Sequence, residues 1–412
     1  MVWKKQRLLE LAFSCWRIEH PPHESRGNSK ARFSDFRLAV LNILNKGEQV
    51  TVDWSELNSE LLHLISKKLE NFSNLIRFRS VCKQWRLAVD PADLPALLPY
   101  LLQPDPTLSS TDYRIFSVLS NTTSQIKLPI AISHEDFKNH ACQGTYMGFL
   151  LVNSFTPSKA PFLFNPLTET KLHIPFSKCI NTMVYMGPNP NSKSRTMEEG
   201  VHLVAHVLDS CERDIIESIM FWRSNNDKTT TFRIPPNAGP ASPVYYKGKL
   251  FVNHWQRKET SIFDMETGDE MNIVIPNPKE VPGLHVLVEA MGDLLALAMV
   301  CSYFWTGPYK FKVYRLEHTD DFEQYRWIEF NGIGDRVLFL NTQDQVFCLS
   351  TSDLEGFRGN CIYYLQLFEN INKDGQCSHC NSVLRYNMGD GTTEEVLNNV
   401  DVNSTWFVPS LS

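Results

Sequence analysis

Residues 53–90 read DWSELNSELLHLISKKLENFSNLIRFRSVCKQWRLAVD. Apolar side chains recur at Leu57, Leu61, Leu62, Ile65, Leu69, Phe72, Leu75, Phe78, Val81, Cys82, Trp85 and Val89, the three-and-four spacing of amphipathic helices rather than the alternation of strands. Ser55 and Asn58 stand where N-caps belong, and Ser73-Asn74 offers a fresh start after Glu70-Asn71-Phe72, so the pattern predicts about three short helices. Three helices in about forty residues bury too little surface to be stable alone. An apolar face left over on such a unit expects the rest of its own chain or a partner protein.

Within this stretch, W-S-E-L-x-x-E-L-L-x-x-I-x-x-x-L followed by Phe78-Arg79-Ser80-Val81-Cys82-Lys83-Gln84-Trp85-Arg86 resembles an F-box, the adaptor-binding segment of modular ubiquitin ligases. The second half is the more specific, because helical periodicity alone does not supply Cys82-x-x-Trp85-Arg86. The family usually has Leu-Pro where this chain has Leu57-Asn58; Asn is a good N-cap and Pro a good first-turn residue, so the helix start is preserved. The resemblance implies that Leu57, Asn58, Leu61, Leu62, Ile65, Leu69, Val81, Cys82 and Trp85 serve adaptor binding, dividing between a small internal core and the adaptor groove.

Outward from there, 412 residues with 42% hydrophobic and 21% charged composition fit an ordinary globular protein of two or more units. A net charge of -6 gives no global electrostatic reason to bind nucleic acid or an anionic membrane. The ten cysteines are scattered, which reads as reduced thiols in the cytosol or nucleus, and the expected location is cytoplasm and/or nucleus. Cys377-Ser378-His379-Cys380 resembles half of a metal site, but no second pair stands at zinc-ribbon distance, so no metal is expected. Residues 1–50 read as a poorly ordered extension: Glu10 interrupts the apolar run after Trp3-Lys4-Lys5-Gln6-Arg7, and Pro21 to Lys30 is polar and rich in breakers. No run of eighteen apolar residues is present, so no membrane span is expected.

Residues 51–92 then form the helical unit, and 93–109 a stiff connector, with Pro95, Pro99, Pro104 and Pro106 set among Leu94, Leu97, Leu98, Leu101 and Leu102. From 110 to 412 the period changes to strand alternation. A phrase of strand, polar turn and strand recurs from Ile115, Phe162, Ile219, Ile262, Phe311 and Val383, often closing on an aliphatic residue and Pro, as in Leu128-Pro129 and Ile174-Pro175. The starts lie about 40 to 70 residues apart, and strand pairs such as Met147–Val152 or Lys249–Val252 precede them. The expected fold class is mainly β with a small α unit: a three-helix N-terminal unit followed by a kelch-like β-propeller of about six blades. A β-sandwich would explain the alternation but not the period.

Gly334-Asp335-Arg336-Val337-Leu338-Phe339-Leu340, Gly356-Phe357-Arg358-Gly359-Asn360-Cys361-Ile362-Tyr363-Tyr364 and Trp406-Phe407-Val408-Pro409 resemble the signature of a plant F-box-associated domain of unknown function (DUF 295 type) with a kelch-like propeller fold. Together the two likenesses imply a plant substrate receptor. Its partners would be a Skp-type adaptor, through it a cullin, and a protein target.

Catalytic patterns fail on their spacing. There is no Gly-x-Ser-x-Gly elbow, and Gly332-Ile333-Gly334 lacks the third glycine and following helix of a dinucleotide loop. His134-Glu135 has its next histidine at His140, six residues on rather than the four that one helix face needs to hold zinc. His202 and His206 lie on an alternating, strand-like run. No cofactor is implied and the expectation is a non-catalytic receptor; a propeller enzyme or ligand sensor, and an F-box protein that acts without ubiquitylation, are the alternatives. Target binding is expected at a mouth of the propeller, in Asn181 to Gly200, Arg223 to Thr231 and Ser302 to Pro308, the last carrying Tyr303, Phe304 and Trp305. The ends of the propeller segment are expected to share one blade, because the phrase at Ile115 lacks a preceding strand pair and Ser404–Val408 is an orphan strand.

Overall fold

A computed structural model describes, between residues 57 and 409, the helices and strands named below and some of the turns adjoining them. Residues 1–56, 67–77, 90–98, 105–111, 128–139, 155–161, 187–201, 234–240, 277–284 and 301–307 are the longer stretches outside the description. The expectation for residues 1–50, the residue Leu69 and the aromatic cluster Tyr303, Phe304 and Trp305 therefore lie outside the described residues. The chain divides into two compact units, Met1–Pro95 and Ala96–Ser412.

In the first unit, α1 spans Ser59–Ser66 and α2 spans Lys83–Leu87. Asn58 caps α1: its side-chain Oδ1 accepts the Glu60 N–H at 2.8 Å, and its carbonyl accepts the Leu62 N–H at 3.0 Å. The first bond satisfies a donor that a helix start leaves orphaned and the second opens the helical ladder, so Asn58 begins the helix where the family usually has Pro. Leu62 and Trp85 are buried, and Trp85 packs on Phe78 with ring centroids 4.6 Å apart.

The second unit is built of strands. They are β1 (Tyr100–Pro104), β2 (Asp112–Ser117), β3 (Thr122–Lys127), β4 (His140–Gly144), β5 (Leu150–Ser154), β6 (Phe162–Asn165), β7 (Thr170–His173), β8 (Ile180–Met186), β9 (His202–Cys211), β10 (Asp214–Arg223), β11 (Lys228–Arg233), β12 (Ala241–Tyr246), β13 (Lys249–His254), β14 (Glu259–Asp264), β15 (Glu270–Pro276), β16 (His285–Ala290), β17 (Asp293–Val300), β18 (Lys310–Thr319), β19 (Gln324–Glu329), β20 (Arg336–Leu340), β21 (Val346–Ser350), β22 (Cys361–Ile371), β23 (Cys377–Asn387), β24 (Thr393–Val400) and β25 (Thr405–Phe407). The described strands form six sheets, ordered β25-β1-β2-β3, β4 to β7, β8 to β11, β12 to β15, β16 to β19, and β21-β20-β22-β23-β24.

Each recurring phrase of the sequence starts in the penultimate strand of a different sheet: Ile115 in β2, Phe162 in β6, Ile219 in β10, Ile262 in β14, Phe311 in β18 and Val383 in β23. Faces of consecutive sheets share apolar cores. One joins Ile219 and Phe221 to Phe251, Ile262, Leu287 and Ala296; the next joins Leu295 and Phe311 to Leu338 and Tyr364. A third joins Leu101 and Phe116 near the start of the unit to Phe339, Tyr363 and Trp406 near its end.

The two ends meet in one sheet, as expected. β25 runs antiparallel to β1, pairing Leu101 with Trp406, and the Trp406 N–H donates to Asn341 Oδ1 at 2.7 Å. Within the proline-rich stretch 93–109, expected as connector, Tyr100–Pro104 instead forms β1. Its prolines permit this because Pro99 precedes the strand and Pro104 ends it, leaving Leu101, Leu102 and Gln103 free to donate to the ladder.

One sheet departs from the four-strand repeat. β20 pairs antiparallel with β21 on one edge and parallel with β22 on the other. The chain leaves β21 where Ser350 faces Arg336 and re-enters where Cys361 faces Val337, so the segment between must cross the start of β20. Gly356 to Asn360 makes that crossing. Asn360, at φ +58°, accepts the Ile333 N–H on its side-chain Oδ1 at 2.7 Å, donates its own N–H to the Arg336 carbonyl at 2.9 Å and accepts the Met388 N–H at 2.9 Å.

Candidate functional site

Two surfaces qualify by exposure. On the helical unit, Leu61, Leu64, Ile65 and Leu87 are, among the described residues, the large apolar side chains left in solvent, with Leu87 72% and Leu64 59% exposed. Leu61, Leu64 and Ile65 follow the i, i+3, i+4 spacing of one helix face. Lys83 and Arg86 are exposed on α2, and Arg79 is held below the ordinary guanidinium range by burial and by the neighbouring charge of Arg86. Lys83 and Arg86 thus put two exposed cations on the helix that carries Leu87.

Of the residues expected to bind the adaptor, Leu61 and Ile65 are presented outward, Leu57, Val81 and Cys82 are half-buried, and Asn58 acts as the α1 cap. Leu62 and Trp85, 0% and 4% exposed, fall in the small internal core that the reading expected beside the groove. Leu64 and Leu87 are exposed beside them and were not named in the sequence reading. Both were legible, Leu64 as the i+3 neighbour of Leu61 and Leu87 as the apolar residue beside Trp85-Arg86.

On the strand unit, connections between sequential antiparallel strands alternate between the two ends of a sheet. Those joining β8 to β9 and β10 to β11 leave from the end at which the first two strands of that sheet connect, whereas the β17–β18 connection leaves from the opposite end of its own sheet. Of the three segments expected at a mouth, Asn181–Met186 falls in β8, Arg223 ends β10 and Lys228–Thr231 falls in β11, while 187–200, 224–227 and 302–307 lie outside the described residues.

At the end where first and second strands connect, two adjacent sheets build a rigid shelf. The turn Lys247-Gly248 between β12 and β13 has φ +46° and +82°, and Met291-Gly292 between β16 and β17 has +54° and +92°. Both have the positive pair of a type I′ hairpin. The Tyr246 hydroxyl donates to the Gly292 carbonyl at 2.7 Å and ties one turn to the other. Phe251 meets Tyr246 edge-on at 5.9 Å and Tyr325 at 6.1 Å between centroids. Lys249 Nζ donates to the Tyr325 hydroxyl at 3.4 Å, and Lys247 Nζ sits 4.9 Å from the Tyr246 ring centroid. The hydrogen bond to Tyr246 raises the Lys247 amine above its ordinary value, so it stays charged.

Carboxylates stand among these groups: Asp264 lies opposite Lys249 in the β13–β14 ladder, and the charge of Asp293 acts on Lys247. Asp293 pairs with Arg336 at 2.6 Å. Glu289 accepts the Gly292 N–H at 2.8 Å, and burial pushes its carboxyl upward. Glu317 takes Arg315 at 2.9 Å and Arg326 at 3.4 Å, the Arg315 bond being the larger cause of its lowered value.

As for chemistry, the His254 ring Nε2 lies 3.0 Å from Ser261 Oγ, but the two residues are 0% and 1% exposed, so no substrate reaches them. His202 and His206 lie on β9 and Cys377-Ser378-His379-Cys380 on β23, both as extended backbone. Among the described residues, no three His, Cys, Asp or Glu side chains gather as metal ligands would.

Residues 115–389 match the family model described as KIB1-4 beta-propeller, and residues 54–95 match the F-box domain model. An F-box/kelch-repeat protein of Arabidopsis thaliana is 24% identical over 353 residues, covering 78% of this chain and 89% of that protein. The F-box protein SKIP23 of Arabidopsis thaliana is 25% identical over 361 residues, covering 74% and 81%. A further Arabidopsis F-box/kelch-repeat protein is 23% identical over 378 residues, covering 84% and 90%.

Proposed function

The chain belongs to the KIB1-4 beta-propeller family and carries an F-box, and from that premise we propose that it is the substrate-recognition subunit of an SCF-type (Skp-cullin-F-box) ubiquitin ligase. The observation that carries this reading is the outward apolar face Leu61, Leu64, Ile65 and Leu87, held from behind by buried Leu62 and Trp85. Exposed apolar side chains at helical spacing mark a protein-docking surface, and in an F-box the occupant is a Skp-type adaptor that leads to a cullin. The helical unit is then a three-helix F-box.

The six sheets are the blades of a ring of the DUF 295 type, closed by β25 on β1, and the ring holds the target protein. Catalysis by such a subunit is proximity: it raises the effective concentration of a target lysine beside the ubiquitin-conjugating enzyme and makes no bond itself. The reading places the protein in the cytoplasm or nucleus, where that machinery works.

The test is co-purification. Leu61→Ala with Ile65→Ala removes two exposed anchors, each worth over about 1 kcal/mol at an interface, and should abolish recovery of a co-expressed Skp adaptor while leaving the strand unit's melting transition in place. Adaptor recovered at the wild-type level from the double variant would refute the reading.

A further inference from the structure

We infer that Arg79, with Lys83 and Arg86 beside it, is an anion-reading anchor of the helical unit that takes carboxylates from an acidic segment of the Skp-type adaptor. The inference deepens the ligase reading and rests on it for the partner's identity.

Three observations carry it. First, the three cations lie together. Lys83, Arg86 and the exposed Leu87 follow the i, i+3, i+4 spacing of one face of α2, and the charge of Arg86 reaches Arg79. α2 is tied to α1 at both ends: Gln84 Nε2 donates to the Leu57 carbonyl at 3.2 Å, and the His63 ring Nδ1 lies 3.4 Å from the Ala88 carbonyl oxygen. Cations and exposed leucines are thus carried by one braced pair of helices.

Second, these cations have no carboxylate. Among the described residues of the helical unit Glu60 is the sole acidic side chain, and it forms no ion pair with any of the three. On the strand unit, by contrast, Arg257, Arg315, Arg326, Arg336 and Arg385 each hold a carboxylate.

Third, Arg79 is half-buried, and its Nε is closed off from solvent without a hydrogen-bond partner. A guanidinium desolvated in this way beside a like charge costs free energy on folding, so the fold by itself has no use for it. Binding has one. Part of the desolvation that an interfacial ion pair requires is already incurred, and a carboxylate arriving at this guanidinium gains more than at a fully hydrated one. The planar fork of Arg also matches the two oxygens of a carboxylate. A nucleic acid is the poorer fit, because the exposed Leu61, Leu64, Ile65 and Leu87 have no counterpart in a phosphate backbone.

The experiment uses the full chain and a Skp-type adaptor, with dissociation constants measured by calorimetry at 50 and 200 mM salt. Arg79→Met keeps the apolar stem and removes the charge; it should hold or raise the melting temperature while weakening adaptor binding about tenfold or more. Lys83→Gln with Arg86→Gln should weaken binding about threefold or more at the lower salt and flatten the salt dependence. Arg326→Gln, an exposed arginine of the strand unit, should leave binding within twofold. On the adaptor, the Asp and Glu of each acidic stretch are replaced in turn by Asn and Gln, and for one stretch the loss should be non-additive with Arg79→Met. Binding of Arg79→Met within twofold of the wild type would overturn the inference. So would a fall of several degrees in its melting temperature, which would mark a carboxylate of this chain as the partner. An unchanged salt dependence in the double variant, an equal loss in Arg326→Gln, additivity with every adaptor stretch, or tighter binding of a twelve-nucleotide oligothymidylate than of the adaptor would each do the same. Leu61→Ala with Ile65→Ala, measured alongside, separates the two readings: if it binds the adaptor as the wild type does, the ligase reading fails and the anchor with it, whereas if it loses the adaptor and Arg79→Met does not, only the anchor fails.

Discussion

Gly359 has no room for a side chain: a Cβ there would lie 2.9 Å from the Gly334 carbonyl oxygen and 3.1 Å from Asp335 Cα, both backbone. The contact exists because the crossover into β22 presses on the turn that starts β20. Gly356 is the contrasting case, since its Cβ would meet only the flexible end of Leu119 at 3.1 Å, and its demand is the backbone angle, φ +89°. Gly359→Ala should therefore cost about 1–3 kcal/mol, the range for forcing a methyl into filled space. A urea titration checks it: the midpoint should fall with the slope unchanged. The Gly356 to Tyr364 block was legible as one of the three phrases that resemble the F-box-associated domain, but its purpose was not. Its residues stitch three segments of one sheet together through Asn360, and a motif that specific could equally have been a binding loop.

At the scale of elements, β25 is three residues long yet carries Trp406 and Phe407, both fully buried, and supplies the sheet with the edge that β1 would otherwise expose. An unpaired edge beside an emptied core is a site for aggregation, and large aromatic truncations in cores cost about 3–5 kcal/mol. Ending the chain after Asn403 should thus unfold or aggregate the whole strand unit, read as loss of the cooperative melting transition. A truncated chain with the wild-type midpoint would show that the closing strand is dispensable. For α1 the pattern assigned the helix and its Asn58 cap but not the division of its apolar residues. Leu61 and Leu62 are adjacent and chemically identical; one is exposed and the other fully buried, because each residue along a helix turns by about 100 degrees.

At the scale of the molecule, the division at Pro95 makes a sharper claim than the expected connector did. β1 belongs to the strand unit, so a chain beginning at Ala96 should fold and melt cooperatively, whereas one beginning at Asp105 lacks the partner of both β2 and β25 and should not. Circular dichroism melts of the two truncations decide it; a folded chain from Asp105 would show that the β1 pairing is dispensable. What the sequence alone determined was local in origin: helical and alternating periods follow from backbone geometry over a few residues, so the helical unit, the strands, their recurrence sheet by sheet and the sharing of one sheet by Ile115 and Trp406 could all be read from it. What only the tertiary structure decided were contacts between residues far apart in the chain. The parallel β20–β22 pairing, the strand hidden among the prolines at Tyr100–Pro104 and the Tyr246 bond to Gly292 across two sheets depend on which surfaces meet, and no local period encodes that.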